Sequence, residues 1–445
     1  MPNLNTLLIQ ISVILLASYL VGWVLSRFKQ PQVVGEMVAG ILLGPSLLGW
    51  IAPDLSAKLF PPESLGFLYS LSQVGLLLFM FMVGLELDTQ KLRKLGRTAL
   101  VISHTSIIVP FALGALLAIH LYPRVADGKV PFTGFVLFMG AAMSVTAFPV
   151  LARILNERDL MGTRVGTLTI ACAAVDDVTA WCILAVILAT VRAQLNHLSL
   201  WQMLIGLTGY FVLMMYGLKP LARKLAVGHR KTKLSDRTVA VLLLCMLASS
   251  WSTEWLGVHA LFGAFFAGAI MPKENAFAED VRDKLRPLVV VFLVPLFFSL
   301  TGLRTTFGLI NSREMLFYSG LVFLVAIAGK FGGSTVAARI MRTPWREGVA
   351  IGILMNTRGL IELVILNIGL DIGVLTRPLF SMMVLMTVGT TCMTTPLLSW
   401  IYPNPRSTVG SEDWAKHKAA RDSTAKSESY AAAQSLARAE IVQGK

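Results

Sequence analysis

Residues 171–189 read ACAAVDDVTAWCILAVILA, an apolar run with two adjacent carboxylates, Asp176 and Asp177, near its middle. The fold turns on whether this run lies in a soluble core or crosses a bilayer. The 445 residues are 55% hydrophobic and only 14% charged, against about 25% charged in an ordinary soluble domain. Their mean hydropathy is +0.69. A soluble fold of this length has too little interior for so much apolar surface. Runs of roughly 20 apolar residues, the length a bilayer crossing needs, recur along nearly the whole chain. These features exclude soluble, fibrous and disordered classes and predict an all-α polytopic membrane protein.

The hydropathy pattern predicts about 13 transmembrane helices, at roughly 5–27, 33–51, 65–87, 98–121, 131–153, 163–191, 198–218, 238–253, 257–272, 287–303, 315–338, 346–370 and 377–401. No basic segment precedes the first run, so it is expected to stay as a span and not be removed as a leader. Residues 1–402 form the expected transmembrane domain, and a polar cytoplasmic tail is expected over 403–445. Lys58, Arg124, Lys129, Arg192, Arg304, Arg313 and Arg377 are the basic residues on one side of this map, and Lys330 and Arg358 lie inside spans. The other 30 of the 39 Lys and Arg fall in the opposite loops and the tail. That bias places the amino terminus outside and the carboxyl terminus in the cytoplasm.

A net charge of +14 usually raises nucleic acid as a partner. Here the basic residues are spread over short loops between spans, so no nucleic-acid partner is expected, and the partner implied is the lipid bilayer. Cys172, Cys182, Cys245 and Cys392 all lie within spans without a Cys-x-x-Cys pairing and read as buried apolar fillers. The letters Gly329-Lys330-Phe331-Gly332-Gly333-Ser334 do not have P-loop spacing. Neither a cofactor nor a nucleotide-binding domain is expected.

Besides the two aspartates, three ionisable residues fall at membrane depth: Lys330 in LVFLVAIAGKFGGSTV, and Arg358 and Glu362 in GILMNTRGLIELVILNIGL. Arg358 and Glu362, four apart, share a helix face and read as a structural ion pair. Adjacent aspartates cannot pair with each other, and Lys330 neutralises at most one of them. One carboxylate is left over, needing a proton or a small cation. Competition for that carboxylate is the minimum chemistry of a cation/proton exchanger. The acids Glu36 and Glu86 lie near span ends, where snorkelling or capping is the default. Glu157 reads as paired with its basic neighbours Arg153 and Arg158, and His104 and His120 as packed or interfacial.

Two spans carry helix breakers. The fifth reads GAAMSVTAFPVLARIL, in which Ser144 and Thr146 precede Pro149, and the proline frees the carbonyl of Val145. The twelfth carries Gly348, Gly352, Asn356, Thr357 and Gly359. Unwound backbone at membrane depth is tolerated where it lines a cavity or is buried in protein. Spans five and twelve are seven apart, so six-span halves at about 5–191 and 238–401 would be inverted repeats. Span seven, 198–218, would be their linker. Paired broken helices at the midplane are a transporter pattern.

On these residues the chain resembles the second monovalent cation:proton antiporter family, which includes Kef-type transporters, NapA-type sodium/proton antiporters and plant CHX exchangers. The matching stretches are PQVVGEMVAGILLGPSLLG (31–49), LFMFMVGLELD (78–88), SVTAFPVLARIL (144–155), AVDDVTAW (174–181) and LMNTRGLIELVILNIGLD (354–371). The resemblance implies the sodium/proton antiporter-like fold, a homodimer, and a core moving like an elevator against a dimerisation panel. It implies that Asp177 is the essential ion- and proton-binding carboxylate, that Asp176 pairs with Lys330, and that Thr146 adds an oxygen ligand. Ser144, Pro149, Asn356 and Thr357 would support the unwound segments. Asp176 and Asp177 would hold only the transported ion. The stretches 144–155 and 354–371 look CHX-like, whereas the double aspartate resembles electrogenic sodium/proton exchangers. The expected function is therefore electrogenic Na+(Li+)/H+ antiport by alternating access, with K+/H+ antiport the alternative and a gated cation channel a more remote one. A bacterial inner membrane is the expected location.

Overall fold

A computed structural model describes residues 4–28, 30–86, 96–126, 131–161, 163–195, 200–227, 234–272 and 277–403. The polar tail expected from 403 lies, beyond Pro403, outside the described residues. Helix is the regular structure throughout the described residues, as lipid demands of a chain that must satisfy its backbone internally. The sequence folds as α1 (Leu4–Arg27), α2 (Gln32–Leu43), α3 (Pro62–Glu86), α4 (Arg97–Val125), α5 (Phe132–Ser144), α6 (Phe148–Glu157) and α7 (Arg164–Leu195). There follow α8 (Leu200–Val212), α9 (Asp236–Trp255), α10 (Ala260–Ala269), α11 (Phe277–Arg286), α12 (Val294–Leu303), α13 (Arg313–Ile327), α14 (Gly333–Ile340), α15 (Trp345–Met355), α16 (Leu360–Asp371) and α17 (Arg377–Ile401).

Twelve stretches of the described residues are long and apolar enough to cross a membrane. The run expected at 257–272 is shorter than its hydropathy suggests. The chain turns at Gly257, which has φ +83°, so α10 keeps ten residues. At a rise of 1.5 Å per residue that is about 15 Å, half a hydrocarbon core. Hydropathy does not register such a turn because Leu256 and Val258 on either side are apolar.

The helices sort into two bodies by their packing. α1, α2, α3, α9, α10 and α12 pack on one another as a panel, and α4 to α7 with α13 to α17 pack on one another as a core. α8 touches α7 on one side and α9 on the other, which suits the linker expected at 198–218. Glycine sets how closely the panel packs. Gly40 of α2 lies against the Ser299 backbone of α12, and Gly302 of α12 lies against the Gly40 backbone. Gly84 of α3 and Gly268 of α10 face each other's backbones in the same way. Lipid offers no hydrophobic drive between helices, so close backbone approach through small residues supplies the attraction.

The outer helices show a wide apolar surface. Leu8, Tyr19 and Trp23 of α1, and Trp251 and Trp255 of α9, are exposed. The span Trp345–Asp371 is the opposite case, buried along its whole hydrophobic window. A helix enclosed by protein tolerates unwinding because neighbouring groups satisfy the freed backbone.

Candidate functional site

Both expected breaks are present, and they cross. α5 stops at Ser144 and α6 starts at Phe148, leaving Val145, Thr146 and Ala147 unwound. Pro149 sits in the first turn of α6, where its missing N–H costs no helical bond. α15 ends at Met355 and α16 begins at Leu360, with Asn356 to Gly359 between them. The two unwound segments touch directly, the Ala147 N–H donating to the Thr357 carbonyl at 3.1 Å.

A crossing of this kind strands backbone groups, and buried charges occupy them. Arg358 donates from Nη1 to the Ala142 carbonyl (3.1 Å) and from Nη2 to the Met143 carbonyl (2.8 Å), in the last turn of α5. Its Nη1 also reaches Glu362 Oε1 at 2.8 Å, and both side chains are fully buried. Thr391 of α17 clips the same residue, accepting from the Arg358 N–H (3.2 Å) and donating to its carbonyl (2.7 Å). The structural pair expected from the four-residue spacing is therefore present, and it also caps the carboxyl end of the other broken helix. Two cations at the negative end of α5 suit its dipole, because Lys330 donates to the Ser144 carbonyl as well.

Lys330 lies in a π-helical turn, Ala328–Gly332, between α13 and α14. Such turns widen a helix locally and occur often at functional sites. The ammonium group is fully buried and donates to the Ser106 carbonyl (2.9 Å) and to Asp176 Oδ2 (3.0 Å). Asp176 collects further donors: Ser103 at 2.6 Å on Oδ1, and Ser106 at 2.7 Å and Thr146 at 2.8 Å on Oδ2. Its charge is thus compensated by one cation and three hydroxyls. The pairing of Asp176 with Lys330 is where the resemblance placed it. Thr146 reaches Asp176, and the Met355 carbonyl at 3.4 Å.

Asp177 is buried beside it in a different situation. Its Oδ1 has no hydrogen-bond partner among the described residues. The Phe148 N–H, at the amino-terminal end of α6, addresses the Asp177 carboxyl, and Lys330 acts on it only at longer range. Asn356, at the other break, also has a buried Oδ1 without a partner there. At the crossing itself three carboxylates and two cations are enclosed, and Asp177 is the acid left there without a counter-ion. The same chemistry was expected from the charge sum.

Two residues of the site are missing from the sequence reading. Ser103 and Ser106, which donate to Asp176, stand three apart on α4 and so share a helix face, and that i, i+3 hydroxyl pair is the signal that marks them. Other expectations change. Glu36 is 3% exposed, and its Oε2 has no partner among the described residues, so it is buried and not snorkelling. Its neighbours are Gln32 on the same helix and Arg153 of α6. Glu86 lies 3.7 Å from Arg282, and Glu157 pairs with Arg153 at 2.8 Å in the open. His104 and His120 face outward. Cys172 is buried as expected, but Cys182 is exposed on the outer face of α7.

Known proteins resemble the chain over most of its length. Residues 13–401 match the family model described as sodium/hydrogen exchanger, transmembrane. A Synechocystis sp. Na(+)/H(+) antiporter, NhaS4, is 43% identical over 406 residues, covering 90% of this chain and 99% of that protein. Cation/H(+) antiporter 17 of Arabidopsis thaliana is 41% identical over 91% of this chain and 49% of its own length. K(+)/H(+) antiporter 1 of Saccharomyces cerevisiae is 33% identical over 90% of this chain and 47% of its own length. The chain thus spans about half of the plant and yeast relatives. Among solved structures, the sodium proton antiporter MjNhaP1 of Methanocaldococcus jannaschii superposes with a TM-score of 0.60 at 14% identity. The match covers 89% of this chain and 98% of that one, a likeness of fold. Two broken helices crossing beside a spare buried carboxylate, and a family match over nearly the whole membrane region, lead to one conclusion: the chain belongs to the transmembrane sodium/hydrogen exchanger family.

Proposed function

We propose that the chain is a secondary antiporter exchanging Na+ (or Li+) for protons by alternating access, with Asp177 as the shared binding carboxylate. The observation that carries this reading is the inequality between the aspartates: Asp176 is met by Lys330 and three hydroxyls, and Asp177 Oδ1 is met by none. An isolated carboxylate in a dry site costs several kcal/mol, so Asp177 resides there with a proton or a cation and not bare. A cation then enters only as the proton leaves. An emptied, charged core meets the same cost in passing the apolar panel, which suppresses return without cargo and couples the two fluxes. Thr146 and Asp176 stand beside it as oxygen ligands, which suit a hard monovalent ion.

In this reading Lys330 takes part in coupling. If the Lys330–Asp176 pair opens and reprotonates in each cycle, two protons return per Na+, and transport is electrogenic. The core moves against the panel, two copies join through the panel as a homodimer, and the membrane is a bacterial inner membrane with the amino terminus outside. A second reading, K+/H+ exchange through the same residues, is favoured by the identity to the yeast K(+)/H(+) antiporter and the plant cation/H(+) antiporters. The test is proton flux in acid-loaded proteoliposomes on adding Na+, Li+ or K+ to wild type and Asp177→Asn. Alkalinisation with Na+ and Li+ that the variant abolishes supports the first reading, and a response to K+ alone supports the second. Folded protein that moves no protons with any cation overturns both. A reversal potential fitting one proton per cation rejects the two-proton cycle.

A further inference from the structure

We infer that Tyr69, Thr301, Arg304, Asn367 and Asp371 form the gate that shuts the site from the external side, and that it opens in each cycle. The inference rests on the exchanger reading above. Tyr69 of α3, Thr301 of α12 and Arg304 just beyond α12 belong to the panel, whereas Asn367 and Asp371 belong to α16 of the core. Their bonds join the two bodies. Tyr69 Oη donates to Asp371 Oδ2 at 2.8 Å. Arg304 Nη1 donates to Asp371 Oδ1 at 2.9 Å and to Asn367 Oδ1 at 3.2 Å. Asn367 Nδ2 donates to Thr301 Oγ1 at 2.9 Å. The guanidinium also lies 4.7 Å from the centre of the Tyr69 ring, within cation–π range.

The cluster is wet at one end and dry at the other. The side chains of Arg304 and Asp371 are 27% and 33% exposed, while Asn367 and Thr301 are 5% and 1% exposed. A plug with this gradient closes a path at its mouth and dries it below. The face it occupies is the one sparse in Lys and Arg, which the charge bias assigns to the outside. On the opposite face the panel is tied to the core by a neutral bond, Gln30 Nε2 donating to the Cys392 carbonyl at 3.2 Å. Charge-assisted bonds are roughly twice as strong as neutral ones, so the external seam carries the stronger hydrogen bonds, while on the opposite face Arg153 of the core acts on Glu36 of the panel through charge alone.

The gate is also connected to the site by one rigid piece of backbone. α16 starts at the crossing, with Glu362 in its first turn and Asp371 at its end. Those residues are about 14 Å apart by helical rise. A core displacement that carries the crossing past the panel moves Asp371 and Asn367 with it, and the bonds to Tyr69, Arg304 and Thr301 break together. The bonds between the two halves exist only while the seam is shut, whereas Asn367 keeps the Leu363 carbonyl and Thr301 the Phe297 carbonyl within their own helices, which makes this a contact that forms or breaks and not a hinge.

The test uses the thiol of a Thr301→Cys variant as reporter in the full chain in sealed vesicles. Labelling by a membrane-impermeant maleimide is read at that peptide by mass spectrometry. The reporter gives up the Asn367–Thr301 bond but keeps those of Tyr69 and Arg304 to Asp371, and with these in place the thiol is dry and labels slowly. Adding Tyr69→Phe, which keeps the ring over Arg304, or Asp371→Ala should raise the labelling rate at least tenfold from the external face. Apparent affinity for a cation offered outside should shift severalfold more than for one offered inside. Labelling that stays at the parent rate in both folded variants overturns the gate. So does faster labelling with equal affinity shifts on the two faces, which marks a merely structural tie. Labelling needs no ion gradient, so its failure is separable from a failure of exchange, which proton flux reads. Faster labelling confined to the opposite face would retain a gate at this seam and reject the outside assignment.

Discussion

Two ion pairs are buried within one crossing, and they are built differently. Arg358 and Glu362 come from a single stretch of chain, four residues apart, and their remaining contacts go to the backbone of α5, to Thr391 and, for Glu362, to Thr387. Lys330 and Asp176 come from helices 154 residues apart, and three hydroxyls from two further segments converge on the acid. The first pair holds a broken helix shut. The second holds a carboxylate ready beside a neighbour with no counter-ion. Burial alone therefore does not separate these acids; the donors around each of them do.

The comparison breaks most sharply at Asp177, the acid outside both pairs. Asp177→Asn removes the carboxylate of the crossing that has no cation of its own and keeps its shape. Cation-driven proton flux should fall to the background of empty liposomes, more than 100-fold. Thermal melting should hold, since the amide oxygen still accepts from the Phe148 N–H and no partner is orphaned. A variant that retains a tenth of wild-type flux would move the exchange site elsewhere.

Arg358→Ala probes the structural pair. It strips Glu362 of its counter-ion and the Ala142 and Met143 carbonyls of their donors at once. Removing one partner of a buried pair costs about 3–5 kcal/mol, so this variant should melt far below wild type and yield little folded protein. Lys330→Ala should be milder in stability, because Asp176 keeps Ser103, Ser106 and Thr146. Its larger effect should be on coupling: the reversal potential of any remaining exchange should move towards one proton per cation. Melting curves and reversal potentials of the two variants, side by side, test the division of roles. Equal melting losses would erase it.

Much of this was legible in the sequence because charge at membrane depth is rare. Asp176, Asp177, Lys330, Arg358 and Glu362 stand out against apolar spans, and Pro149 and the glycines of 348–359 mark the breaks. Less was legible where the signal is geometric. Ser103 and Ser106 resemble any hydroxyls that bond back to their own helix, and only the approach of α7 turns them towards Asp176. Glu36 sits about one turn inside PQVVGEMVAGILLG, where nothing distinguishes a snorkelling acid from an enclosed one. The gate was invisible because Tyr69, Arg304 and Asp371 fall at three separate span ends, each ordinary there until the panel and core are brought together.

Ser106→Ala sharpens the contrast from within the functional pair. It removes one of three hydroxyls from Asp176 and leaves the Ser106 carbonyl for Lys330. A hydrogen bond to a charged group contributes about 1.5–3 kcal/mol, so about a tenfold rise in apparent KM for the driving cation is expected, with folding retained. No change in KM would mean that Lys330, Ser103 and Thr146 hold Asp176 without the Ser106 hydroxyl.

The smallest effect belongs to a third pair, Arg153–Glu157. It has the same four-residue spacing as Arg358–Glu362 and the same 2.8 Å contact, but its side chains are 44% and 42% exposed. Water screens both charges whether or not they meet, and an exposed helical pair of this kind is worth about 0.3–0.5 kcal/mol. Glu157→Gln should therefore leave melting within about a degree, and proton flux within about twofold, of wild type. The neighbouring Arg153→Gln is the more informative control, because Arg153 is also the charge that acts on buried Glu36. If Arg153→Gln slows flux while Glu157→Gln does not, the arginine serves the panel–core boundary through Glu36 and not its own helix. If the two variants behave alike, spacing and distance are identical in the two Arg–Glu pairs and only their solvation separates a structural necessity from a surface contact.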